Sequence, residues 1–212
     1  MSGRAALRVT AGLNVGLHLL GLALALIGMR QGTPLVPLDE RLAYLASRPI
    51  GWSLGWGTWM LCALALVAFL AVLATHAHGA PLASLAVTLA AAGAAIDLLC
   101  DGVQIAVLPG LASARLSDPS VFLAWERAAG VGGTVVANGL YSVAVLLAAI
   151  ALRGRPGMPA HALSLGVATF GAGMLMVVAG FVGDPRRLEL ATGPTIGAFL
   201  LWTVAVARAL LR

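Results

Sequence analysis

Six long apolar runs constrain this chain more than any other feature: Val9–Met29, Gly51–Thr75, Pro81–Leu108, Val131–Leu152, His161–Val182 and Leu190–Leu211. A helix rising ~1.5 Å per residue needs about 20 residues to cross a ~30 Å hydrocarbon core. Each run is long enough. Only 10% of the 212 residues are charged and 60% are hydrophobic, against about 25% charged in a soluble domain. A water-soluble fold of this size cannot hide so much apolar surface. None of the runs alternates strictly, as a barrel strand would. The expected fold class is therefore all-α: a polytopic transmembrane bundle of about six spans, both termini on the same side. Residues 1–212 are read as a single integral membrane domain.

Proline and glycine separate the runs. Pro34 and Pro37 open the first loop and Pro49 closes it; His76 to Pro81 and Gly154 to Pro159 make tight turns; Asp184-Pro185 ends the fifth run. Leu38 to Leu45 reads as a short amphipathic helix. Ser117 or Asp118 is expected to cap another, with Pro119 in its first turn. That helix is expected to continue into the fourth span through Gly130, Gly132 and Gly133, with a kink there. The first run is 21 residues long, too long for a signal-peptide core of about 7–15 residues, and is read as a span.

The charges are sparse and sorted by loop. All 13 basic residues are Arg, a usage that suggests a GC-rich, bacterial coding sequence. Arg4, Arg8, Arg153, Arg155, Arg208 and Arg212 fall on the side of the termini (side A), with no acid beside them. Side B carries seven Arg and six acids. Unpaired Arg in short loops favours side A as cytoplasmic in a bacterial inner membrane. With no basic cluster longer than Arg186-Arg187, the net charge of +5 reads as topology control. Nucleic acid is not an expected partner; the bilayer is, with a second copy or another membrane protein as further candidates.

Trp52, Trp56 and Trp59 share one face of the second span and read as interfacial anchors, with ligand stacking as the alternative. The small-residue pairs Gly12/Gly16, Gly51/Gly55 and Gly193/Gly197 suit close helix packing in lipid. Leu54-Gly-x-x-Thr58 in the second span resembles Leu165-Gly-x-x-Thr169 in the fifth, and Gly16-Leu-His18 faintly echoes Gly139-Leu-Tyr141. A three-plus-three duplication would be inverted, as in many transporters.

The third span carries the chemistry. Asp97, Cys100, Asp101 and Gln104 fall at i, i+3, i+4 and i+7, one stripe on one helical face. Counted from Pro109, Asp101 lies about 12 Å deep and Asp97 about 18 Å. An acid there costs about 2.5–3.5 kcal/mol to insert, so it is expected to face the bundle interior. His18, Asn14, Asn138 and Tyr141 lie at similar depth and are candidate companions. Glu126 and Arg127 form an expected interfacial charge pair, with Arg127 able to reach down to Asp101. The bland alternative is that both acids only pair with neighbours to set helix register. Cys100 is read as a small buried residue.

Other chemistries lack their signatures. Asp-x-x-Cys-Asp is no established metal spacing, and a single deep histidine does not make a haem site. No serine has a plausible base, and both acids are on one helix rather than facing each other across two. There is no phosphate-binding loop. Neither metal nor cofactor is expected. The leading expectation is a small transporter-like or ligand-binding protein built on Asp97, Asp101, Gln104, His18, Asn138 and Tyr141. An accessory subunit of a membrane complex, or an enzyme acting on a lipid or isoprenoid through Asp101, Glu126 and Arg127, are the alternatives.

Overall fold

The computed structural model describes residues 2–77, 79–114 and 119–212. Among them every regular element is helical. Helix α1 (Gly3–Leu24) is capped by the Ser2 hydroxyl and continues as a π turn, Ala25–Met29. The amphipathic α2 (Leu38–Ala46) follows, then α3 (Ile50–Ala74). The third span is α4 (Ala80–Gly102), a π turn Val103–Val107 and α5 (Leu108–Ser113). The fourth is α6 (Ser120–Gly130), a π stretch Val131–Ala137 and α7 (Asn138–Ala151). Helices α8 (Ala160–Val182) and α9 (Pro185–Leu211) complete the chain. The capping of α6 by Ser117 or Asp118 lies outside the described residues.

The six spans close into a ring in chain order. Helix α1 packs on α3, α3 on α4, α4 on α7, α7 on α8, α8 on α9, and α9 returns to α1. Both termini lie at one end. There Gly79 donates to Ala151 O at 3.5 Å and Arg155 donates to His76 O, while Leu7, Met158 and Leu211 share one apolar cluster. The outer face is apolar: Ile27 is 86% exposed, Leu190 75% and Phe181 72%. In lipid that exposure costs nothing, and helix association rests on close packing instead. Small residues supply it, with Ala86, Ala90, Ala144 and Ala148 buried between α4 and α7.

The side A half is solid. Leu66, Phe69, Leu73, Val145, Phe199 and Trp202 belong to one buried core, and Phe69 meets Trp202 edge to face at 5.9 Å. On side B the third and fourth spans, 34 and 32 residues long, run roughly 50 Å and so project beyond the hydrocarbon. Helix α2 packs there on α5, and α5 on α6.

The tryptophans, the glycine pairs and some span starts depart from the sequence expectations. Trp52 is buried, and Trp56 and Trp59 turn into the ring, so the three are not interfacial anchors. Of the three glycine pairs only Gly51/Gly55 receives a neighbouring element, the Gly28 backbone and the Met29 side chain. A Cβ at Gly12, Gly16, Gly193 or Gly197 would meet nothing within 4 Å. The first and sixth spans also begin earlier, at Gly3 and Pro185, whereas the fourth continues from α6 as expected. Hydropathy marks only the lipid-immersed part, whereas Asp184 starts α9 among charged residues by accepting from Arg186 N and Arg187 N at 3.0 and 3.1 Å.

The two similar segments have similar geometry. Thr58 and Thr169 each donate to the carbonyl four residues back at 2.8 Å. Gly55 admits Met29 of the preceding span, and Gly166 admits Ala149 of the span preceding it.

Candidate functional site

The ring encloses a cavity of about 310 Å³, to which all six spans contribute. Its floor near mid-membrane is formed by Leu66, Val145 and Phe199, which are also the top of the side A core. From there it extends to the B end, where half-buried Thr33, Gly130 and Leu188 line it. No family model matches the chain, and no curated protein or solved structure matches it either.

The whole stripe of the third span, Asp97, Cys100, Asp101 and Gln104, lines this cavity. Glycines of the fourth span shape its seat. A Cβ at Gly132 would collide with Cys100 Sγ, and one at Gly133 would lie 3.2 Å from Asp97 Oδ1. On α4 itself, Gly93 makes room for the Tyr141 ring, which a Cβ would meet at 2.8 Å. Tyr141 can then donate its O–H to Asp97 Oδ2 at 3.1 Å. Asp101, one turn nearer side B, is 2% exposed, and its Oδ2 has no hydrogen-bond partner among the described residues. Neither acid takes part in an ion pair among the described residues.

Gln104 marks the π turn. Its register sends the Leu108 N–H to Val103 O, which would leave Gln104 O to pair with residue 109. That residue is Pro, which has no N–H. The Trp52 indole donates to Gln104 O instead, at 2.7 Å. One turn along α3, Trp56 lines the cavity, and its indole N–H has no partner among the described residues.

His18 faces the cavity from the first span. Its Nδ1 lies 2.8 Å from Asn14 O; a carbonyl only accepts, so Nδ1 carries the proton and a neutral ring leaves Nε2 as an acceptor. Trp59 stands edge-on to the imidazole at 6.0 Å and Phe199 tilts against it at 5.1 Å. Asn138 lines the wall and donates to Gly133 O at 2.8 Å. The six expected site residues therefore converge on one cavity. Asn14 does not join them: fully buried, it donates to Thr203 of the sixth span at 3.3 Å.

The expected Glu126–Arg127 pairing is corrected. Glu126 accepts from Arg41 at 2.8 Å, whereas Arg127 is exposed, makes no ion pair among the described residues and does not reach Asp101. Arg41 is 5% exposed, with its guanidinium 5.8 Å from the Phe122 ring centre. A signal was present in the sequence: Leu38, Arg41, Leu42 and Leu45 share one face of α2, which places a charge on its apolar side. The tryptophans carried one too, since their stripe continues inward through Ala63 and Leu66. Thr169, Thr192, Thr195 and Phe199 complete the wall from spans five and six. A single hydroxyl in an apolar run looks the same whether it faces a neighbour or a cavity.

Among the described residues no three of His, Cys, Asp and Glu are grouped to hold a metal ion. Fold and site define a multi-pass α-helical membrane protein with an acidic, aromatic-walled cavity inside a six-span ring.

Proposed function

We propose that this chain is a small transporter-like or ligand-binding membrane protein whose site is the acidic face of its third span. The supporting observation is the cavity itself: it stops at a packed core on side A, reaches the B end, and holds two aspartates without a basic partner among the described residues. Intramembrane acids on a cavity wall mark ion, proton or substrate paths. A ligand entering from side B meets Gln104 and Asp101 first, then Asp97 and Tyr141 one turn deeper. Rocking of the two three-span halves would move the closed core from one side to the other.

The other readings have less support. The polar stripe faces the chain's own cavity, where an accessory subunit would present it to a partner. Glu126 is engaged by Arg41, which leaves a lipid enzyme without its headgroup-depth acid. We place the protein in a bacterial inner membrane with side A cytoplasmic, working alone or as a second-copy assembly.

Infrared difference spectroscopy on the protein in nanodiscs tests this reading, with Asp97→Asn and Asp101→Asn assigning the carboxyl bands. A carboxyl band that titrates and is displaced by added ligand is expected. Bands silent from mildly acid to mildly alkaline pH would mean sealed structural pairs, and the reading would fail.

A further inference from the structure

We infer that the cavity takes an organic ammonium ion: a protonated primary or secondary amine carried on a compact apolar body. The inference rests on the reading above, that the cavity is a ligand site, and it names what the site selects.

The argument is a count of donors and acceptors. A hydroxyl has one proton to give and two lone pairs to offer. Thr169, Ser142 and Thr195 each give that proton to the carbonyl four residues back, at 2.7–2.8 Å. Thr192 does the same at 2.8 Å. Tyr141 gives its proton to Asp97, and Asn138 gives an amide hydrogen to Gly133 O. His18 spends Nδ1–H on Asn14 O. These groups turn mainly lone pairs toward the space between them.

Asp97 and Asp101 add to that excess of acceptors, and one Asp101 oxygen is satisfied by nothing among the described residues. Among the described residues no arginine lines the cavity. The donors left among the described residues are few and neutral: the Trp56 indole, the Gln104 amide, the second amide hydrogen of Asn138, the Thr134 hydroxyl and the weak Cys62 and Cys100 thiols. A ligand that satisfies such a wall must bring both N–H groups and positive charge.

The rest of the wall defines the body. A bare metal cation needs several converging oxygen ligands, and this wall is mostly apolar, with Trp56, Trp59 and Phe199 among its lining residues. Aromatic faces favour a cation and its hydrocarbon attachment together. At about 310 Å³ the space is at the small end of ligand pockets, which span about 300–1,000 Å³, so the body is small.

The test uses three probes of matched shape, 2-phenylethylammonium, 2-phenylethanol and phenylacetate, titrated into the full chain in nanodiscs. Tryptophan fluorescence and calorimetry report binding. The amine is expected to bind ahead of both others, and Asp101→Asn to weaken it by about tenfold or more. If that variant fails to fold, the ranking of the three probes on the unmodified protein decides alone. Equal or tighter binding of the alcohol or the acid would overturn the ammonium inference while leaving a ligand site in place. An amine affinity unmoved by folded Asp101→Asn would overturn it as well. Binding of none of the three would overturn it too, and the infrared bands then decide separately whether the ligand-site reading survives.

Discussion

Asp97 and Asp101 stand one helical turn apart on the same face, yet among the described residues only Asp97 has a side-chain partner. Tyr141 bonds it at 3.1 Å, and Gly93 and Gly133 make the space that allows this. Asp101 is buried with an unsatisfied oxygen, which costs free energy unless something binds there. The two should therefore respond differently to change. Tyr141→Phe is expected to lower stability by about 0.5–1.5 kcal/mol, because it removes the hydrogen bond to the half-buried Asp97. Asp101→Asn is expected to leave the midpoint of thermal unfolding unchanged or raised, since it breaks no bond. A drop for Asp101→Asn larger than that for Tyr141→Phe would make Asp101 a structural residue and weaken the site. Arg41 is an intermediate case: Glu126 pairs with its Nη1 and the Phe122 ring faces the guanidinium, while Nε has no partner among the described residues.

Three of the six spans pass through a π turn or stretch, at Ala25–Met29, Val103–Val107 and Val131–Ala137, and each contributes residues to the cavity wall. Such turns carry one residue more per hydrogen-bonded loop, and they recur at functional sites. In the third span the cause is local: Pro109 cannot donate, and the Trp52 indole takes the place of its missing N–H. Pro109→Ala restores a backbone donor that competes with Trp52 for Gln104 O. The expected result is a changed tryptophan emission together with an unchanged helix content by circular dichroism. Emission identical to that of the unmodified protein would mean that the indole bond does not depend on the proline.

The complete ring is what makes the cavity one-sided. Leu66, Phe69 and Trp202 fill the side A half, while the longer third and fourth spans and α2 build out side B. Access can be read with a thiol. With Cys62 replaced by Ala, Cys100 is the remaining cysteine, and it faces the cavity. The small cationic reagent 2-aminoethyl methanethiosulfonate is expected to label it when added from side B of sealed vesicles and not from side A. Labelling from side A alone would place the barrier at the wrong end. Protection from both sides would mean a cavity that solvent does not reach.

Much of this was legible before any coordinates. Six spans, α2, the helix that runs through the glycines into the fourth span and the polar face of Asp97, Cys100, Asp101 and Gln104 all follow from apolar run length, helical period and the conformational rules of proline and glycine. Those are properties of neighbours along the chain. Depth was readable for the same reason, since rise per residue is constant, so His18, Asn138 and Tyr141 could be placed level with the acids. What a face meets was not readable. Trp52, Trp56 and Trp59 form the same stripe whether it turns to lipid headgroups or into the bundle, and Gly51/Gly55 looks no different from Gly12/Gly16. Arg41 and Arg127 are equally distant from Glu126 in every way a sequence records except along the chain, where the wrong one is adjacent. Rotation of each helix about its axis, the closing of the first span on the sixth and the space left at the centre depend on packing summed over all six spans. In lipid, where burial of apolar surface gives no direction to that packing, contact between side chains far apart in the chain decides it.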